Sequence, residues 1–305
     1  MISSANLTTW DWSIWSNCIW FKDFPKKTPK NTLNPPKGLI RNGLDFNHDF
    51  RMTLASFVQS LMPIKIQYPE LIGIDIDDYL ISGIDIILIP SVPGKYSGKE
   101  FERYGHSKIG AMVRKFYPCE PNNPNNYLLP KKHQVTYQTS SVGNFSEDLF
   151  RELLSSFLPN YLSLDQLKEE AGQGDIIYDS VNKPSKRVKV IYPTKEYVES
   201  CIAGQENAIC LVLPRKDYNR PAFTKNVFYQ FKAPDHYVHH EGILPHLKVC
   251  VMTGDDGEIT DDCWIYFGSH NFSASAWGRY ENQYQKFSIF NTELGIFIPP
   301  EKGRD

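Results

Sequence analysis

His246 and Lys248 stand two residues apart in Pro245-His246-Leu247-Lys248-Val249-Cys250-Val251-Met252, and the alternation of apolar positions predicts a β-strand over His246–Met252. Alternate residues of a strand share a face, so the imidazole and the ammonium are expected on one side and Leu247, Val249 and Val251 on the other. Further along, Gly268-Ser269-His270-Asn271 comes after a predicted strand at Trp264–Phe267 and opens a short helix, whose first backbone N–H groups favour an anion. A proton-carrying imidazole, an ammonium, a carboxamide and a helix terminus aimed at one point are what phosphoryl transfer without a metal requires. No metal and no cofactor are expected. Glu293, opening a predicted strand at Glu293–Ile298, adds a carboxylate to the group.

A His-x-Lys pair is weak by itself, since this composition supplies about 0.6 per chain by chance. A second pair, His106-Ser107-Lys108, runs into Ile109, Met112, Val113 and Phe116, a helical period. His106 and Lys108 are therefore expected on a helix surface. Three features raise His246 and Lys248 above chance: the strand, the asparagine downstream of it, and the later predicted strand that carries Glu293. That asparagine lies in an internal repeat: Ser4-Ala5-Asn6-Leu7-Thr8-Thr9-Trp10-Asp11-Trp12 and Ser269-His270-Asn271-Phe272-Ser273-Ala274-Ser275-Ala276-Trp277 both fit Ser-x-Asn-[Leu/Phe]-[Ser/Thr]-x-x-x-Trp. Two copies this far apart imply two similar half-proteins, with Asn6 the counterpart of Asn271.

The elements that must position these groups come from an ordinary globular sequence. Its 305 residues suffice for one large domain or two smaller ones, and 41% hydrophobic with 22% charged residues excludes collagen-like and disordered chains. No apolar run is long enough to span a membrane, and the N-terminal residues lack a signal-peptide pattern, so an intracellular protein is expected. The net charge of −2 leaves any nucleic-acid contact to a local patch, such as Lys26, Lys27, Lys30, Lys37 and Arg41 in the Pro-rich loop 21–44. The six cysteines form no CxxC pair and read as free thiols, and the acidic run at Asp255, Asp256, Glu258, Asp261 and Asp262 reads as a solvated hairpin without calcium-loop spacing. Helices are predicted at Asp49–Met62, His106–Phe116, Ser146–Leu158 and Thr194–Cys201, and strands at Ile84–Ile89, Gln134–Thr139 and Val188–Tyr192 besides those above. Strands alternating with helices define an α/β fold.

The segments PHLKVCVM, FGSHNFSASAWG and NTELGIFIPP together resemble the C-terminal half of the tyrosyl-DNA phosphodiesterases that cleave 3′-phosphotyrosyl bonds, a branch of the phospholipase D superfamily. ISSANLTTWDW with Trp20, IILIPSVPGKY, QTSSVGN and VIYPTKEYV extend the resemblance over the whole chain. It implies a phospholipase D-like pseudo-twofold pair of mixed sheets flanked by helices, with residues 1–82 a remnant of a truncated first half and 83–305 the second half. It implies a phosphodiesterase that releases tyrosine or peptide from DNA 3′ ends through a phosphohistidine intermediate. Such a protein would be a DNA-binding hydrolase of exonuclease type, a monomer, acting in DNA repair in the nucleus.

Carried over position by position, the resemblance makes His246 the general acid/base, Lys248 and Asn271 the ligands of the phosphoryl oxygens, Glu293 the residue that orients a catalytic imidazole, and Asn6 the partner of Asn271. Ser140 and Ser141, with Lys248 and Ser273, are expected to contact DNA or substrate phosphates. The partner is single-stranded or 3′-end DNA carrying covalently attached tyrosine or peptide; no membrane is involved. Departures are specific. The family's first His-x-Lys, source of the nucleophile, precedes the position of Asn6 and is absent from this sequence, so the chain alone is expected to be impaired. The family's glutamine eleven residues after its first-half asparagine is Asn17, a position often basic is Ala274, and Thr253 stands where other phospholipase D relatives carry aspartate. A non-catalytic nucleic-acid-binding relative, or a nuclease or lipid phosphodiesterase of the superfamily, is the alternative.

Overall fold

A computed structural model describes residues 1–5, 15–33, 37–61, 75–117, 119–120, 123–127, 133–159, 161–172, 183–202, 204–230, 242–254 and 256–301. In chain order its main elements begin with three short strands, β1 (Ile2–Ser3), β2 (Trp15–Ser16) and β3 (Ile19–Trp20), then helix α1 (Phe46–Ser60). Strand β4 (Ile87–Ser91), helix α2 (Gly105–Phe116), strand β5 (His133–Gln138), helix α3 (Glu147–Phe157), and strands β6 (Val188–Ile191) and β7 (Phe228–Tyr229) come next. The C-terminal part holds β8 (Leu244–Pro245), β9 (Val249–Gly254), β10 (Ile265–Gly268), the four-residue helix α4 (Ala274–Trp277) and β11 (Glu293–Ile298).

Seven of the strands form one mixed sheet in the order β7-β6-β5-β9-β10-β11-β4. β5, β6 and β7 run parallel, and every other pairing in this sheet is antiparallel. The register stacks Val190, Tyr137, Cys250, Tyr266, Phe297 and Ile87 in one row across the sheet, and all six are buried. Period-two burial of this kind is why β-branched and aromatic residues dominate these segments. Helices α1, α2 and α3 close the core, with Phe46 against Phe116, Phe116 against Phe297 and Phe157 against Trp264. The α/β class and the mixed sheet agree with expectation. Among the described residues the partner sheet of the expected pair is reduced to small pairings, β1 with β3 and β2 with β8. Ile2, Phe46 and Phe50 share the core of Ile87 and Trp264, so residues on both sides of position 82 pack together.

Element limits differ from the predicted ones where caps and proline dictate. Asp45 accepts a hydrogen bond from the His48 N–H and starts α1 earlier than the apolar period suggests, while Ser146 caps α3 through the Leu149 N–H. The expected strand His246–Met252 is divided. Leu244–Pro245 pairs in parallel with Trp15–Ser16, Val249–Gly254 belongs to the large sheet, and residues 246–248 bridge the two.

His106 and Lys108 are not surface residues, contrary to the expectation from their helical period; they are 0% and 4% exposed. Helix α2 is covered on more than its apolar stripe, because α1 and α3 both pack on it. His106 bonds Ser156 Oγ at 2.9 Å and Glu152 at 3.3 Å, and Lys108 donates to Thr53 Oγ1 at 2.8 Å with Asp49 at 3.5 Å. His106 and Lys108 thus both have partners, as burial demands. The loop 21–44 also departs from a free extended segment: Lys27 donates to the Asp77 carbonyl, and Arg41 is buried over the Phe116 ring.

The core at the end of the sheet can be tested at two positions. Gly268 faces Gly295 across β10 and β11, and a Cβ on Gly295 would run into the Tyr266 ring and hydroxyl. Gly295→Ala is expected to destabilise the fold by about 1–3 kcal/mol, read from the denaturant midpoint, because a packed core has no room for the methyl. His270, fully buried, donates from Nε2 to Ser91 Oγ at 2.9 Å, accepts from Tyr266 OH at 2.5 Å, and stacks on Trp277. Burial pushes its pKa down from 6.5 to about 3. The folded state therefore binds fewer protons than the unfolded chain in that interval, and stability falls as pH drops from 6.5 toward 3. His270→Gln should flatten that part of the stability–pH profile; an equally steep loss in the variant would assign the acid sensitivity elsewhere.

Candidate active site

Four strand ends meet at one end of the large sheet. β5 finishes at Gln138, opposite Val249 at the start of β9; Val249 lies opposite Phe267 near the end of β10; and Gly268 lies opposite Gly295 near the start of β11. The Gly268 N–H donates to the Lys248 carbonyl at 3.2 Å and extends the ladder one residue past the strand. Residues 139–141, 246–248, 268–271 and 293 are thereby collected at a single rim.

His246 and Lys248 lie side by side although residues 246–248 belong to no strand, and it is Cys250 and Met252, not Val249 and Val251, that are fully buried beyond them. His246 and Lys248 are both buried, and the Lys248 ammonium donates to His246 Nε2 at 2.7 Å and to the His246 carbonyl at 2.8 Å. On the other side of the ring, Nδ1 donates to Asn17 Oδ1 at 3.0 Å, and Ser4 Oγ donates to the same oxygen at 2.9 Å. An acceptor at Nδ1 fixes the tautomer and leaves Nε2 facing the ammonium. Asn17, singled out in the sequence only as a departure, is thus a site residue. Its contact spans 229 positions, which no local pattern reveals.

Asn271 is half-buried, and its side-chain oxygen is held by the loop after β5. It accepts from the Ser141 N–H at 3.0 Å and Ser140 Oγ at 3.2 Å, with Thr139 Oγ1 also 3.2 Å away. The expected role of Ser140 as a direct phosphate contact needs correction, since Ser140 is 1% exposed and its hydroxyl serves Asn271. Ser141 is half-buried and offers its backbone to the same oxygen. Ser273 caps α4 by accepting from the Ala276 N–H at 3.3 Å, so its hydroxyl has a structural partner as well. Asn271 lies two residues ahead of that cap and not in the helix. Asn6 lies outside the described residues.

Glu293 is brought to the rim, but the expected imidazole is not beside it. Its carboxylate accepts from Asn291 Nδ2 at 3.1 Å, and no histidine among the described residues hydrogen-bonds it. The reason is visible in the repeat. Ser4 N–H donates to the Cys18 carbonyl while Cys18 N–H donates to Ser4 Oγ; likewise Ser269 N–H donates to the Leu294 carbonyl while Leu294 N–H donates to Ser269 Oγ. The two serines of the repeat thus form the same paired hydrogen bonds, and Asn17 and Glu293, each one residue earlier, occupy equivalent places. His246 is held by the former.

Burial, partly opposed by bonds from Ser269 and Asn291 and by the charge of Lys248, raises the Glu293 pKa above the usual carboxylate range. The native state then keeps its proton to higher pH than the unfolded chain does. This group favours folding below the unfolded value of about 4.3, and the contribution is lost as pH rises through the raised native value. Glu293→Gln should therefore gain stability relative to the parent between pH 4 and neutrality. The check is a pair of denaturation midpoints that run together at low pH and separate as pH rises.

The mixed sheet with helices packed on it has a phospholipase D-like fold. The sequence model of the tyrosyl-DNA phosphodiesterase family matches residues 1–305, and the chain belongs to that family. It is 26% identical over 303 residues to tyrosyl-DNA phosphodiesterase 1 of Arabidopsis thaliana, a match that covers 98% of this chain and 44% of that protein. The chain thus spans less than half the length of that relative. The crystal structure of yeast tyrosyl-DNA phosphodiesterase is similar with a TM-score of 0.55 at 17% identity, over 97% of this chain and 62% of that one. The SCAN1 mutant of the yeast protein gives a TM-score of 0.56 with the same identity and coverage. These structures establish the likeness of fold.

Proposed function

We propose that this protein acts on the phosphodiester between a DNA 3′ end and tyrosine or a peptide, with His246 as general acid/base and Lys248 and Asn271 as ligands of the phosphoryl oxygens. The observation that carries this reading is the chain Asn17–His246–Lys248, in which one ring nitrogen is locked as a donor and the other meets an ammonium at 2.7 Å. An anionic oxygen arriving there finds a cation and, beside it, a ring nitrogen that can take up a proton, the arrangement that stabilises charge developing in phosphoryl transfer. In the family's two-step route, an imidazole attacks phosphorus and forms a P–N bond while the P–O bond to tyrosine breaks. His246 would supply the proton to the departing tyrosyl oxygen. It would then take one from the water that breaks the P–N bond and restores the attacking imidazole.

The 305 residues contain His-x-Lys only at His106 and His246. His106 is enclosed in the helical layer, and His246 represents the acid/base side of the proposed reaction. The second reading is a nucleic-acid-binding relative without turnover. DNA 3′ ends, a role in DNA repair, exonuclease-type processing, a monomeric state and residence in the nucleus belong to the same proposal and rest on the family's substrate.

Tyrosine release from a single-stranded oligonucleotide bearing a 3′-phosphotyrosine tests it. His246→Ala is expected to reduce release by about 10²–10⁴-fold, the usual worth of a positioned acid/base. Release undiminished by that substitution overturns the assignment. Binding of the oligonucleotide by the parent with no release selects the second reading.

A further inference from the structure

Asn271 can offer a phosphate either an amide N–H or a carbonyl oxygen, and only the first attracts an anion. The two ends have the same shape, so something must decide between them. The geometry points to Ser140 as the positioning residue that does, an inference that rests on the proposed phosphate site.

A carboxamide oxygen has two lone pairs. Here they meet the Ser141 N–H at 3.0 Å and the Ser140 hydroxyl at 3.2 Å. Thr139 does not compete for the place: its single hydroxyl proton has a closer acceptor in the Ser141 carbonyl at 2.8 Å, and its oxygen accepts from the Phe272 N–H at 3.1 Å. Both lone pairs of Asn271 are therefore occupied from the loop side. The amide nitrogen has no acceptor among the described residues, so it is the end left for a ligand. Turning the amide over would set its N–H₂ against the Ser141 N–H, donor against donor, and leave a buried group unsatisfied.

The loop that carries Ser140 is itself held on two sides. Val212 N–H donates to the Ser140 carbonyl and Val142 N–H to the Val212 carbonyl, both at 2.9 Å, while Gly143 N–H donates to the Phe272 carbonyl at 3.2 Å. The second serine of the loop acts through its backbone, which substitution preserves. The hydroxyl of Ser140 is the separable part of the device.

Protein labelled with ¹⁵N-asparagine gives the side-chain amide of Asn271 as a direct readout. In the free parent one sharp amide pair is expected, and Ser140→Ala should broaden or split it, with Ser140→Thr restoring it. Titration with inorganic phosphate should then shift the Asn271 amide protons in the parent, and Ser140→Ala should raise the phosphate Kd by about 3- to 10-fold, the worth of one hydrogen bond. Ser140→Thr should recover most of that loss. Asn271→Asp provides a second variant that keeps an oxygen with both its lone pairs toward the loop; it replaces the outward amide by an oxygen and should lose phosphate binding with its fold intact. An unchanged amide signal and unchanged Kd in Ser140→Ala, or phosphate binding as tight in Asn271→Asp as in the parent, overturns the inference while leaving the phosphate site standing. Phosphate that leaves the Asn271 signal of the parent unmoved overturns the phosphate site itself, whatever Ser140→Ala does to the free amide.

Discussion

One continued ladder decides where the chemistry of this chain is gathered. The Gly268 N–H binds the Lys248 carbonyl beyond the last regular pair of β9 and β10, and Gly268 in turn faces Gly295. Because side-chain direction alternates along a strand, a slip of one residue here would turn Lys248 away from the rim and bring Leu247 in its place. The paired glycines leave room for the Tyr266 ring, which supports His270 and through it the turn carrying Asn271. Packing, register and the candidate site are therefore one problem at this end of the sheet. The core row Val190-Tyr137-Cys250-Tyr266-Phe297-Ile87 supplies the burial that holds the register.

Burial also sets the electrostatics of the rim. An ammonium that is 2% exposed is costly unless it is bonded, and Lys248 is bonded to the ring nitrogen and the backbone of His246. The nearby Glu293 has its carboxyl shifted toward the neutral form by burial, opposed in part by the charge of Lys248. In the proposed reaction an anion at this rim is screened from a buried ammonium less than it would be in water.

How much of this the sequence shows depends on the range of the interaction. The partnership of His246 with Lys248 was legible because it needs only the period of an extended chain, and Asn271 because its motif recurs near the other terminus. The burial of His106 and Lys108 was not legible: their helix has an apolar stripe that predicts one buried face, and the rest is covered by α1 and α3, packed there by contacts distant in sequence. Ser140 was expected to contact phosphate because QTSSVGN resembles a loop of the family. Its burial comes from Val212 and Phe272 closing on the loop, again a tertiary fact. Asn17 could be aligned with a family glutamine and still not be assigned a function until the ring it holds was located.

The two repeats carry the same serine device and differ in the side chain set beside it. Ahead of Cys18 stands Asn17, a carboxamide, and ahead of Leu294 stands Glu293, a carboxylic acid. The difference matters chemically. A carboxylate at Nδ1 stabilises the imidazolium and makes a ring a better base or nucleophile, whereas an amide oxygen accepts the same hydrogen bond without adding a charge. The ring of His246 is thus oriented by Asn17 through an acceptor that carries no charge.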